Sequence, residues 1–119
     1  MASQPVLDPV VIDTLRQLTA PGEPDVLEEV LKLFLEEAPT RITKLRNAWE
    51  ARDIQSVQRM AHSLKGSAGN IGATTLFEIC KQLDSSGRPG VVVDTGSLIN
   101  ALAAEYRNVE EEIHRITGA

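Results

Sequence analysis

The stretch Ile54-Gln55-Ser56-Val57-Gln58-Arg59-Met60-Ala61-His62-Ser63-Leu64-Lys65-Gly66-Ser67-Ala68-Gly69-Asn70-Ile71-Gly72 decides the fold. Its apolar residues Ile54, Val57, Ala61, Leu64, Ala68 and Ile71 recur at the spacings a helix of 3.6 residues per turn gathers onto one side. Asp53 stands where an N-cap carboxylate belongs, and Gly72 where a left-handed residue ends a helix. At about 100° per residue, His62 points roughly 130° away from the centre of the apolar set, toward solvent. Gln55, Gln58, Arg59, Lys65, Gly66 and Gly69 lie three, four or seven residues from His62 and share its outward face.

The same periodicity runs through most of the chain. Asp8 as N-cap and Pro9 in the first helical position open a short helix with Ile12, Leu15 and Leu18 on one side, ending before Pro21-Gly22. From Pro24-Asp25 a stripe of Leu27, Leu31, Phe34, Ala38, Ile42, Leu45 and Trp49 predicts a helix of about six turns. Pro39 removes one of its hydrogen bonds, and the intact stripe on either side predicts a kinked continuous helix in preference to a break at Ala38. Thr75-Leu76-Phe77-Glu78 has the form of a capping box, opening a helix whose inward face is Leu76, Ile79, Cys80 and Leu83. The segment Ser85-Ser86-Gly87-Arg88-Pro89-Gly90 is a loop. Val91-Val92-Val93 has strand propensity but no second strand to pair with, so it leads into Asp94 as the N-cap of a last helix. That helix carries Leu98, Leu102, Tyr106, Val109, Ile113 and Ile116 inward, with Gly118 beyond its end. The expectation is an all-α fold: an antiparallel up-and-down four-helix bundle with a short N-terminal helix capping one end. The bundle domain is expected over 8–117, with a flexible tail over 1–7 and a second tail over 118–119.

Composition agrees with one such domain. The chain has 119 residues, and its 42% apolar content suffices for a single core. Twelve Lys and Arg against seventeen Asp and Glu leave a net charge of -5, which opposes binding to a polyphosphate backbone and sets nucleic acid aside. The single cysteine, Cys80, has apolar neighbours and is expected to be a buried, inert thiol, in keeping with a reducing cytoplasm. Neither an export signal nor a membrane span is legible, so the expected location is cytoplasmic, without membrane contact by this domain.

The glycines on the outward face are the informative residues. An exposed glycine inside a helix costs about 1 kcal/mol relative to alanine and returns nothing to an isolated monomer. Without a side chain at Gly66, one turn beyond His62, another protein's surface can descend onto the helix beside the imidazole. Lys65, also one turn away, can bring positive charge to an anionic group held there. Each feature alone has an ordinary explanation: a solvated histidine, a surface lysine, a glycine at a helix crossing. Their conjunction on one outward face is what no packing requirement explains.

In this context Ala61-His62-Ser63-Leu64-Lys65-Gly66-Ser67-Ala68-Gly69-Asn70-Ile71-Gly72 resembles the signature of the histidine-containing phosphotransfer (HPt) domain, in which histidine is followed by a hydrophobic residue, lysine and glycine. The resemblance extends upstream through Leu7-Asp8-Pro9 and Leu33-Phe34-Leu35-Glu36-Glu37-Ala38-Pro39, and downstream from Leu76 to Leu83. It implies a four-helix bundle without a nucleotide site, with His62 as phosphoacceptor, Lys65 as a phosphoryl-side cation and Gly66 as the clearance position. Gln55, Gln58, Arg59 and Gly69 are the further candidate docking residues. The implied partners are the receiver domain of a hybrid sensor histidine kinase and the receiver of a response regulator, engaged by a monomer.

Chemistry supports that expectation. An imidazole with an ordinary pKa near 6.5 is largely neutral at cytoplasmic pH and is a competent nucleophile without a dedicated general base. The chain has no Gly-rich phosphate loop and is too short to add an ATP-binding domain, so no autonomous kinase activity is expected. No cofactor or metal of its own is expected; Mg²⁺ belongs to the receiver, because no carboxylates cluster around His62 in the sequence. Glu111 and His114 match half of a di-iron helical motif, but the residue three before His62 is Arg59, so the second half is missing. Two alternatives stay open: the phosphoacceptor domain of a chemotaxis-type kinase, and a non-catalytic helical adaptor bundle.

Overall fold

A computed structural model of the chain describes residues 4–118, among which all regular structure is helical: α1 (Pro9–Gln17), α2 (Val26–Glu50), α3 (Ile54–Asn70), α4 (Thr74–Ser85) and α5 (Thr95–Thr117). The caps are largely those the sequence predicts. The Asp8 carboxylate accepts from Val10 N–H, Asp25 from Glu28, Asp53 from Ser56 and Asp94 from Ser97, each satisfying a donor that a helix start leaves free. Gly118 closes α5 at φ 73°. α2 continues through Pro39, which faces solvent while Ala38 beside it is buried, so the lost hydrogen bond falls on the wet side of the helix.

Two local expectations are corrected. α4 begins at Thr74 with Ala73 in the N-cap position and no side-chain cap, so the Thr75–Glu78 capping box does not form. Gly72 at φ +73° turns the chain sharply, Ala73 N–H bonds back to the Ala68 carbonyl at 2.9 Å, and burial of Ala73 starts the helix two residues early. Leu18, placed with Ile12 and Leu15 by its spacing, is 62% exposed. Each step of three falls about 60° short of a full turn, so by Leu18 the row has rotated about 120° away from Ile12.

Short connections of residues 51–53 and 71–73 fold α2, α3 and α4 back on one another, antiparallel and adjacent. α3 packs between α2 and α4, α5 closes the bundle against α4 and α2, and α1 lies on α2. The core is built from the predicted stripes, with Leu31, Leu45, Val57, Leu64, Leu76, Leu83, Leu102 and Ile113 fully enclosed. At the α2–α3 turn Arg52 adopts φ 59°, and its guanidinium lies 4.1 Å over the Trp49 ring. The N-terminal segment is tied down at Gly72, whose carbonyl accepts from Asp8 N–H at 2.8 Å. Leu7 is buried, so packed structure begins ahead of residue 8, within the segment expected as a tail. Residues 1–3 of that tail and residue 119 of the C-terminal one lie outside the described residues. No described helix is long and apolar enough to cross a membrane.

Candidate functional site

Burial of Val57, Ala61, Leu64 and Ala68 fixes the rotation of α3 and leaves the His62 side chain 70% exposed. Its Nδ1 lies 3.2 Å from Oδ2 of Asp84, in the last turn of α4. Lys65 Nζ donates to the same oxygen at 3.0 Å, and Arg88 Nη2 stands 4.0 Å from it. The Asp84 side chain is only 12% exposed and that of Lys65 24%, so this ion pair sits under the rim of the site with the imidazole projecting above it.

Burial alone would push the Asp84 carboxyl up, but hydrogen bonds from Lys65 and His62 and their charges outweigh it, holding the group below its ordinary value. Asp84 is therefore an anion and can only accept hydrogen bonds. Facing it, Nδ1 of a neutral His62 must carry the ring proton, which leaves the lone pair on Nε2, the nitrogen turned to solvent. The carboxylate thus sets the tautomer of the ring, a partner that the sequence analysis did not name.

Asp84 was not legible as a site residue. Its signal is the antiparallel register: His62 lies ten residues before Gly72 and Asp84 twelve after it, so the hairpin of α3 and α4 brings them level. Only the rotation of α4 decides that the carboxylate on the flank of the Cys80–Leu83 face turns toward α3.

An open hollow of about 400 Å³ adjoins the imidazole, lined by Gln55, Gln58, Arg59, His62 and Asp84. Gln55 is exposed, and Arg59 is held at its edge by a 2.8 Å bond to the Ser56 hydroxyl. Gln58 is half-buried, and its amide donates to the Ser86 carbonyl, so it ties the α4–α5 loop to α3. Gly66 and Gly69 differ. A Cβ on Gly66 would meet nothing within 4 Å, whereas one on Gly69 would touch the Phe77 ring at 3.5 Å. Gly66 is thus bare for no reason internal to the fold, and Gly69 borders the crossing with α4. Cys80 is buried and its thiol is pushed up to about 12 by desolvation, as an inert core thiol. No group of three metal-ligating side chains occurs among the described residues.

The chain is thus an all-α bundle that holds one imidazole exposed on an open helix face. The chain belongs to the Hpt family: the family model of the Hpt domain matches residues 29–112. The fold matches the crystal structure of histidine-containing phosphotransfer protein B from Pseudomonas aeruginosa PAO1 with a TM-score of 0.81 and 31% identity, over 95% of this chain and 98% of that one. Among curated relatives, the multistep phosphorelay regulator 1 of Schizosaccharomyces pombe is 28% identical over 69% of this chain, and the histidine-containing phosphotransfer protein 2 of Arabidopsis thaliana 33% identical over 56%. The aerobic respiration control sensor protein ArcB of Escherichia coli is 24% identical over 89% of this chain. The matches span 28%, 44% and 13% of those relatives' own lengths. Family membership makes the chain a phosphotransfer module, an intermediate of a phosphorelay.

Proposed function

We propose that His62 is the phosphoacceptor, and that it takes a phosphoryl group from the aspartyl phosphate of a docked receiver domain and gives it to the aspartate of a second. The observation that carries this reading is the exposed Nε2 of an imidazole whose other nitrogen is bound to an anionic carboxylate. The lone pair of Nε2 attacks phosphorus in line, the phosphorus–oxygen bond breaks, and its electron pair returns to the receiver's carboxylate. Lys65 offsets charge on the phosphoryl oxygens, and the open space over Gly66 admits the receiver. The donor is the receiver of a hybrid sensor kinase and the acceptor that of a response regulator, with the module acting in the cytoplasm as a monomer. Mg²⁺ is supplied by the receiver, because beside His62 stands a single carboxylate already engaged by Lys65, short of the oxygen ligands that ion requires. The module is a carrier, charged by a receiver and not by ATP.

A receiver domain charged with a labelled small-molecule phosphodonor tests this. Incubation is expected to give an acid-labile, alkali-stable adduct on His62, absent in His62→Gln and absent when ATP alone is offered. Label persisting in His62→Gln would move the site elsewhere, and His114 would be examined next.

A further inference from the structure

Asp84 does more than orient the ring. We propose that it is a positioning residue that keeps the Nδ1 proton on the imidazole throughout the transfer cycle, so that phosphorylated His62 remains a ready donor at and above neutral pH. The inference rests on His62 being the phosphoacceptor.

When Nε2 of the Nδ1-protonated ring attacks phosphorus, the product is a phosphoimidazolium that still carries its Nδ1 proton. Two fates follow. If the proton escapes to solvent, the adduct is a neutral phosphoimidazole, and breaking its phosphorus–nitrogen bond must expel an imidazolate, a far poorer leaving group than imidazole. If the proton stays, attack by the next receiver's aspartate oxygen breaks that bond and returns the electron pair to Nε2, and the neutral imidazole of the resting state leaves. No proton then enters or leaves the site in either half of the cycle.

The structure supplies what the second path needs. Oδ2 of Asp84 lies 3.2 Å from Nδ1, and its carboxylate is mostly withdrawn from water, where an ion pair with an imidazolium is screened less than at an open surface. The charged groups facing the ring from each neighbouring element are Lys65 and Arg59 on α3, Asp84 on α4 and Arg88 on the loop after it. Three of these are cations that disfavour a protonated ring. Two of them, Lys65 at 3.0 Å and Arg88 at 4.0 Å, are themselves paired with Asp84, and that pairing also tempers its repulsion of an incoming phosphoryl group. Among the described residues Asp84 is the one anion against the ring, and it touches the nitrogen that must hold the proton.

The test loads the full chain with phosphoramidate, a small-molecule donor, so that neither charging nor the spectra need a partner. ¹⁵N spectra of the phosphorylated wild-type ring are expected to show Nδ1 still protonated at about pH 8, above the range in which an ordinary imidazole gives up its proton. In Asp84→Asn the adduct still forms but loses that proton at lower pH. Discharge to a receiver at about pH 8 is expected to slow by about tenfold, the ratio produced by displacing the midpoint one unit, and the two proteins converge in mild acid. Superimposed pH profiles, or a wild-type adduct deprotonated by about pH 7, would overturn the inference with His62 still the phosphoacceptor. The wild-type spectrum decides the matter even if the variant is unstable. Failure to label His62 at all would instead sink the reading of the site on which this inference rests.

Discussion

Gly66 and Gly69 lie one turn apart on the same face, yet substitution should separate them. Nothing approaches a Cβ on Gly66, so Gly66→Ala is expected to stabilise the isolated domain by roughly 0.5 to 1 kcal/mol, read from chemical denaturation. Gly66→Gln is also expected to fold, since its side chain has open solvent to occupy. It would fill the space a receiver must enter, and a misplacement of about 1 Å in such geometry can cost on the order of a hundredfold in rate. Stability and transfer rate should therefore part company in this variant. An unfolded Gly66→Gln would make Gly66 a packing glycine, and an unchanged transfer rate would remove the clearance role. The shared outward face of His62, Lys65 and Gly66 was legible from their spacing alone, because it is a property of one helix. Asp84 was not, because its contact with His62 joins two helices, and periodicity within either says nothing of how far each is rotated against the other.

At the level of elements, the hairpin of α3 and α4 turns on Gly72. Its φ of +73° is costly for any residue with a side chain, and a Cβ there would stand 2.9 Å from Val11 Cβ and 3.1 Å from Asp8 N. Backbone strain and displacement of α1 should act together. Gly72→Ala is expected to destabilise by about 2 kcal/mol or more, visible as a lowered melting temperature, and to loosen the Asp8 N–H to Gly72 O contact. Amide exchange at Asp8 would report that loosening, and protection equal to wild type would show that α1 is held by other contacts. The helix end was legible in the glycine itself. Its second task, as the seat of the N-terminal segment, was not, because the partner lies more than sixty residues away in sequence. The Thr75–Glu78 capping box failed for a related reason. A local motif offers one starting point for a helix, and burial of Ala73 in the core imposed another.

For the whole molecule, one continuous core joins all five helices, so removing volume at its centre should weaken the protein as a unit. Leu64, fully buried two residues from His62 on the opposite side of α3, is the point at which to ask. Leu64→Ala is expected to cost about 2 to 5 kcal/mol and to melt in a single transition, while His62→Ala stays within about 0.5 kcal/mol of wild type. Helix signal and tertiary signal melting apart in Leu64→Ala would show that the helices do not depend on a common core. The sequence by itself determined the helices, their inward stripes, the single core and the outward position of His62, because each follows from repeat, cap and composition within a short span of chain. Only the tertiary structure decided that Asp84 meets His62 and Lys65, that Gln58 is tied to the Ser86 carbonyl, and that Gly66 stands open while Gly69 borders Phe77. These depend on how neighbouring helices are rotated and offset, and that is settled jointly by the packing of every stripe against the others.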